Sequence, residues 1–353
     1  MDAALAEVAE RVRGAHRDRR PLRVRGAGTK DFYGQDFAGD VLDTTACGGV
    51  VDYEPSELVV TARCGTRLSE IESMLAAHDQ FLAFEPPAFG GDPTIGGVIA
   101  AGLSGPRRMQ AGAARDFVLG ACLLNPDGEI LHFGGRVMKN VAGFDVARLL
   151  CGSMGILGLI TEVSLKVLPR PRAEMTRRFD MSASHAVNAF GQWRSKPLPI
   201  SGAAWCDGQV WLRLSGASSA VRTACESVGG EQVDDSAAAT FWNGLRHHTH
   251  PFFNESGSLW RLSLPACSQP LALPGRSLID WGGALQWHRT EAGAGDVRER
   301  AVSSGGSAMH WNGTGTRTRF HPLSPAVLEI HRRLKQRFDP HGIFNPGRLV
   351  AGL

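Results

Sequence analysis

The chain has 353 residues, 43% hydrophobic and 21% charged, the size and composition of an ordinary globular protein of about two domains. That balance excludes a disordered or fibrous fold, and a formal net charge of +3 is too small to imply nucleic acid as a partner. Asp2, Glu7 and Glu10 give the first residues the wrong polarity for a secretory signal, and no apolar run approaches the roughly 20 residues a bilayer requires, so the expected location is cytoplasmic, at most peripheral on the inner face of the membrane through partners.

Leu5, Val8, Ala9 and Val12 recur at helical spacing and predict a helix over 3–15 that ends near Gly14, with the cluster His16 to Arg20 as a solvated helix end. Pro21 to Arg25 then reads as a short strand running into Gly26-Ala27-Gly28-Thr29-Lys30. Consecutive small residues there can form a nest of N–H groups for an anion, and Lys30 can add a point charge. The loop is neither a Walker loop nor a Gly-x-Gly-x-x-Gly fingerprint, because Asp31 stands where the third glycine would be, which disfavours a Rossmann kinase or dehydrogenase.

Strands are predicted over 41–44, 49–53 and 58–63, and Thr66 is expected to cap a helix from Arg67 to His78. A further strand is expected over 81–84, and Glu85 to Pro93 is a rigid irregular loop that delivers the chain into Thr94. From Thr94 to Gly105 the chain is small, apolar or uncharged, until Arg107 and Arg108 close the stretch after Pro106. Glycines at 96, 97, 102 and 105 let a flat ligand lie against the backbone; Gly97, Ala101 and Gly105 also fall at helical spacing, so a close helix contact is the alternative.

Asp116 to Leu124, the turn Asn125-Pro126-Asp127-Gly128 and Glu129 to Phe133 predict a β-hairpin. Met138 to Asp145 reads as a polar link into a helix over 146–150, and Gly152 to Thr161 as a second glycine-punctuated apolar run ending in a strand over 160–167. Trp193 is the first of eight tryptophans, a shift that predicts a separate domain beginning near 172. Its strands are expected at 209–214, 258–264 and 283–288 and its helices at 218–228 and 237–245, with the tryptophans filling either a core or a docking surface. Pro325 to Phe338 predicts a helix, and Ile343 and Phe344 predict that the tail Asp339 to Arg348 docks rather than frays.

Together these segments resemble the FAD-binding family that includes vanillyl-alcohol oxidase, p-cresol methylhydroxylase (PCMH) and D-lactate dehydrogenases. The resemblance rests on Arg25 to Lys30, Thr94 to Gly105 with Arg107 and Arg108, Asn140 to Asp145 continuing through Gly152 to Thr161, and Asp339 to Arg348. Within that family Phe84 to Pro87, Ala111 to Gly120 and Gly134 to Asp145 are similar to the E subunits of bacterial glycolate oxidases. The resemblance implies an α+β fold: a two-subdomain PCMH-type FAD-binding domain over 1–171, a smaller antiparallel-sheet α+β cap over 172–320 that serves substrate or partner docking, and a C-terminal helix and tail over 321–353 that return to the flavin.

It also implies FAD, with Arg25, Gly26, Ala27, Gly28, Thr29 and Lys30 at the diphosphate. Thr94, Gly96, Gly97, Ala100, Ala101, Ser104 and Gly105, with Pro86, would line the diphosphate and isoalloxazine ring. Gly155, Gly158 and Ile160 would meet the adenosine end, and Asn345 would close over the flavin edge. Some members carry a histidine in the first loop for a covalent flavin bond; this chain has Thr29, so noncovalent FAD is expected. The implied activity is oxidation of glycolate to glyoxylate in a complex with a paralogous FAD subunit and an iron–sulfur subunit, electrons leaving for an acceptor other than oxygen. A self-sufficient oxidoreductase of another 2-hydroxy acid or alcohol, and a non-catalytic flavin-binding scaffold, are the alternatives.

Oxidising a small-molecule 2-hydroxy acid calls for a cation to hold the carboxylate and a base for the hydroxyl proton. Arg107 and Arg108 are candidates for the first role and His310, His321 and His341 for the second; the favoured reading of the arginines is as contacts to FAD, a partner or solvent, because nothing in the sequence fixes their geometry. Related 2-hydroxy-acid dehydrogenases carry metal-binding histidines and an acid, whereas His310 stands isolated here, so no metal is expected. Seven cysteines without a Cys-x-x-Cys pair read as reduced and mostly buried, supporting neither an iron–sulfur cluster nor a zinc site.

Overall fold

A computed structural model describes residues 3–135, 145–312 and 318–353. Helix α1 (Ala3–Asp18) buries Val8, Ala9, Val12 and Ala15 and runs past Gly14, because glycine weakens a helix without ending it when the next turn still packs. It leads into a parallel pair, β1 (Leu22–Arg25) and β2 (Asp40–Asp43). Next come β3 (Val50–Glu54), β4 (Val59–Arg63), α2 (Leu68–Ala76), β5 (Gln80–Phe81), α3 (Ile95–Ala101) and α4 (Arg108–Ala111). The predicted hairpin follows as β6 (Val118–Leu124) and β7 (Ile130–Gly134), then α5 (Val146–Leu150), β8 (Leu159–Lys166) and β9 (Leu168–Pro169). The polar link expected at 138–145 lies outside the described residues except for Asp145, which caps α5 by accepting from the Arg148 N–H.

Strands β3, β4, β8, β6 and β7 form, in that order, a five-stranded antiparallel sheet. Its core joins Val60, Ile71, Leu75, Phe84, Ile95, Ile99 and Leu165. Two expectations fail here for tertiary reasons. Thr66 does not cap α2; its hydroxyl bonds to the Gly49 and Arg63 carbonyls and fastens β3 to the end of β4, while Arg67 occupies the cap position. The strand expected over 81–84 pairs only through Gln80 and Phe81 with β9, because Leu82, Ala83 and Phe84 are drawn into the core.

The second half opens with β10 (Ala173–Asp180), α6 (Ala183–Arg194), β11 (Ile200–Cys206), β12 (Gln209–Gly216), α7 (Ser218–Val228) and β13 (Glu231–Gln232). It continues with α8 (Asp235–His247), α9 (Pro251–Asn254), β14 (Leu259–Ser263), β15 (Arg276–Asp280), β16 (Leu285–Arg289), α10 (Ala294–Ser303) and β17 (Ser307–Asn312). The eight strands form one antiparallel sheet in the order β13-β10-β12-β11-β15-β16-β14-β17. Trp242, Trp260, Trp281, Trp287 and Trp311 are buried, so the tryptophans mainly fill the core rather than offer a docking surface.

Helix α11 (Pro325–Phe338) returns to the first half, where Leu334 and Phe338 pack against the core. The tail beyond it docks: Ile343 and Phe344 are buried, the Leu22 N–H donates to the Ile343 carbonyl at 2.7 Å, and the Asn345 N–H donates to the Leu22 carbonyl at 2.9 Å. A buried pair fastens this arrangement. Lys335 Nζ donates to Asp339 at 2.7 Å and to the carbonyls of Ile156 and Phe344, both at 2.8 Å, while Asp339 accepts the N–H groups of Ile343 and Phe344.

Candidate functional site

The loop after β1, the start of α3, the turns before β8 and the docked tail converge on one cleft of about 770 Å3, including its open mouth. Arg25, Gly26, Ala27, Gly28, Thr29, Lys30, Thr94, Gly96, Gly97, Ala100, Ala101, Gly155, Gly158, Ile160 and Asn345 all line it.

The loop from Gly26 to Lys30 is shaped for an anion. Among the described residues no protein acceptor meets the N–H groups of residues 26–30, whereas the carbonyls behind them are used: Gly28 accepts from Asp31, and Lys30 accepts from Tyr33 and from Arg348 at 3.1 Å. Arg348 also donates to the Asp31 carbonyl at 2.9 Å and to that of Gln35 at 2.9 Å, so it holds the loop's acceptor side and leaves the donor side to the cleft. Lys30 lacks a carboxylate: its Nζ is 3.4 Å from the Thr29 hydroxyl and 5.6 Å from the centre of the Phe89 ring. Burial pulls its pKa down to about 8. Asp31 is instead held by Arg23 and Arg25, at 3.1 and 2.8 Å.

The glycine stretch divides, at adjacent positions, between packing and facing the cleft. A Cβ on Gly96 would fall 2.7 Å from the Cys64 Cβ and 3.0 Å from the Cys64 carbonyl, so this glycine serves the packing of α3 on the end of β4. A Cβ on Gly97 would meet only Thr94 Oγ1, at 3.4 Å, and otherwise faces the cleft. Asn345 is held from both sides, accepting from the Val24 N–H at 2.8 Å and donating to the Met154 carbonyl at 2.7 Å. It ties two walls of the cleft together. Arg348, Cys64 and Met154 also line the cleft and were not singled out from sequence; only the position of Arg348 in the docking tail hinted at a role.

Three of the residues assigned to the cofactor lie elsewhere, in the seam between the two halves. The Pro86 carbonyl accepts from Arg246, Ser104 Oγ accepts from the Ala114 N–H, and the Gly105 carbonyl accepts from Trp281 Nε1 at 3.0 Å. Nor do the four catalytic candidates reach the cleft. Arg107 is buried, paired to Glu85 at 3.3 Å and Glu174 at 2.6 Å, and Glu85 also pairs with Arg213 at 3.0 Å. Burial raises the Glu85 pKa, but the Arg213 and Arg107 charges outweigh it and hold the carboxyl below its ordinary value. Arg108 lies over the Trp281 ring at 4.2 Å. His310 is buried beside Trp260 with neither ring nitrogen partnered, and His341 stacks on His16 with ring centres 4.4 Å apart. Of the other histidine weighed as a base, His321, Nδ1 accepts the Ala308 N–H at 3.3 Å. Among the described residues no group of three or more His, Cys, Asp or Glu is placed to hold a metal ion, and no helix is long and apolar enough to cross a membrane.

The cleft fits a large anionic ligand with a flat part: a row of free N–H groups with an unpaired lysine at one end, and a backbone approach at Gly97 at the other element. Comparison with known proteins agrees. Residues 3–134 match the FAD binding domain family and residues 276–349 the C-terminal domain of FAD linked oxidases. The chain is 46% identical over 345 residues to the glycolate oxidase subunit GlcE of Escherichia coli, covering 98% of this chain and 97% of that protein. It is 25% identical to the glycolate oxidase subunit GlcD of Escherichia coli, over 96% of this chain and 80% of that protein. Among solved structures, alkyldihydroxyacetonephosphate synthase shares the fold, with a TM-score of 0.69 and 18% identity over 98% of this chain and 76% of that one.

Proposed function

We propose a function from the premise that this chain belongs to the FAD-linked oxidases, in the line of glycolate oxidase E subunits, and is an FAD-dependent oxidoreductase. It serves as the FAD-binding subunit of a complex that oxidises glycolate to glyoxylate, alongside a paralogous FAD subunit and an iron–sulfur subunit that passes electrons to an acceptor other than oxygen. The near end-to-end 46% identity to the glycolate oxidase subunit GlcE of Escherichia coli carries this proposal. The likeness to GlcD supports the paralogous partner.

When bound, FAD supplies a hydride acceptor. The chain's own residues do the holding. The N–H groups of residues 26–30 and the Lys30 charge take the diphosphate, Gly97 permits close approach of the cofactor to α3, and the backbone of Gly155, Gly158 and Ile160 meets the adenosine end. Asn345 keeps the walls at a fixed separation from behind. In this proposal residues 1–171 and 321–353 bind FAD, and residues 172–320 shape the substrate side. Thr29 offers no ring nitrogen for a covalent link, so the flavin is noncovalent.

The test measures sustained glycolate-dependent dye reduction by the isolated chain, by the partner subunits without it, and by the reconstituted mixture. Turnover is expected only in the mixture, since no cysteine spacing here can hold an iron–sulfur relay. An isolated chain that matches the mixture would put the self-sufficient oxidoreductase in place of the subunit. Acid precipitation of the same preparation should release the yellow cofactor into the supernatant.

A further inference from the structure

The seam between the two halves holds a small chamber beside the cleft. Phe89 and Leu103 wall it on one side, and His248, Arg261, Trp287 and Trp311 on the other. It abuts the Lys30 end of the cleft, since Lys30 lies against Phe89 and Ala101 packs in the same apolar cluster as Leu103, Trp287 and Trp311.

Arg261 sits on β14 opposite Trp287 of β16 and Met309 of β17, so its side chain leaves the same face of the sheet as theirs. A guanidinium carries five N–H donors. Here one donates to Ser263 Oγ at 3.2 Å, and the cation rests 5.2 and 5.9 Å from the ring centres of Trp281 and Trp287. Among the described residues no carboxylate forms an ion pair with it, although burial lowers its pKa and Tyr33 and Asp280 offset that only in part. Arg107 and Arg213, in the same seam, are both paired to Glu85. Arg261 is half-buried, and its unmet donors remain open to an anion that enters the chamber.

His248 supplies the second group. It ends α8 in the left-handed region, φ 57°, stacks on Phe253 with ring centres 4.0 Å apart, and meets Trp287 edge-on at 4.9 Å. Its ring nitrogens have no hydrogen-bond partner among the described residues. Burial, then the Arg261 charge, pull its pKa to about 3, so the ring is neutral and keeps a lone pair for a hydroxyl. The chamber leaves about 20 Å3 in which the centre of a water molecule can move, where one water needs roughly 10–15 Å3, so it has room for one to two waters and a two-carbon acid stands at its upper limit.

Resting on the FAD-dependent function above, we propose that this chamber is the chain's own site for a two-carbon 2-hydroxy acid: Arg261 takes the carboxylate, His248 accepts the hydrogen bond of the 2-hydroxyl, and the indole walls exclude larger acids. The carboxylate partner sought at Arg107 or Arg108 is thereby Arg261.

The test uses the purified full-length chain with its flavin, without partners or electron acceptor, and follows tryptophan emission, because Trp281, Trp287 and Trp311 line the chamber. Oxalate is the first probe, a two-carbon diacid with no C–H bond to oxidise; glycolate, mandelate and the uncharged ester methyl glycolate are the others. A saturable response to oxalate and glycolate is expected, with none to mandelate or methyl glycolate. Arg261→Met should weaken oxalate by roughly tenfold or more, with Arg261→Lys recovering part of the loss and flavin content unchanged. Wild-type oxalate affinity in Arg261→Met overturns the site. So does a methyl glycolate affinity equal to that of glycolate, a measurement that needs no variant. Flavin present without any oxalate response counts against the chamber alone, whereas a wild-type chain that holds no FAD counts against the function on which it rests.

Discussion

Two cationic regions of this chain are built in opposite ways. Around Arg107 every charge has its counterpart, Glu85 pairing with both Arg107 and Arg213 and Glu174 closing the other side of Arg107. Around Lys30 the charge faces a cleft with a hydroxyl and an aromatic ring for company, next to a run of N–H groups that no protein acceptor meets. Buried cations with their carboxylates in place belong to the frame that joins the two halves, whereas a cation with unmet donors beside free N–H groups belongs to a binding surface.

The largest expected effect breaks the binding side while sparing the frame. In Gly97→Val the new Cβ meets only Thr94 Oγ1, at 3.4 Å, so the chain should fold, but the branched side chain occupies the space the cofactor needs. The purified variant is expected to hold no flavin, read as flavin absorbance per chain. Full flavin content would remove Gly97 from the site.

Arg107→Met does the reverse. It strips one charge from a buried network and leaves Glu85 with Arg213 alone, so unfolding in urea should show a loss of about 3–5 kcal/mol. Flavin content per folded chain should stay at the wild-type value. A variant of wild-type stability that loses FAD would turn the comparison around.

Lys30→Met sharpens the contrast with a smaller effect. Removing a charge-assisted contact worth about 1.5–3 kcal/mol should weaken FAD by roughly tenfold to a hundredfold, with no loss of stability in the flavin-free chain. The smallest effect is one of pH. In the flavin-free fold the Lys30 pKa is depressed to about 8, and a diphosphate would raise it again. Its contribution to FAD affinity is therefore full below about pH 8 and is lost as pH rises beyond that. Titration of FAD binding should show this loss in the wild-type chain, and Lys30→Met should lack it. For the flavin-free fold the sign is opposite: the unfolded chain holds the lysine proton more tightly, so stability gains from Lys30 as pH rises from about 8 toward 10.5.

Elements that depend on neighbouring residues were legible in the sequence. Helices α7 (218–228) and α11 (325–338) follow from apolar spacing, and the hairpin around Asn125 to Gly128 from its turn chemistry. Strands β10, β11, β15 and β17 were not anticipated; β11 and β15 lie inside the sheet and are buried on both faces, so they need not alternate, whereas β17 is an edge strand whose four middle residues are all buried. The cleft was legible as a set of loops. Its substrate side was not, since Arg261 and His248 are ordinary residues until the sheet register and the end of α8 turn them toward the same chamber.

By itself the sequence determined the amphipathic helices, the hairpin, the two glycine loops and the docking of an apolar tail, because each rests on spacing or side-chain size within a few residues. The tertiary structure alone decided that Gly96 packs against Cys64 while Gly97 faces the cleft, and that Arg107 is neutralised while Lys30 and Arg261 are not. Whether a charge finds a partner depends on groups far away in the chain, as Glu174 is from Arg107, and that distance closes only when the segment that begins α4 packs against the eight-stranded sheet.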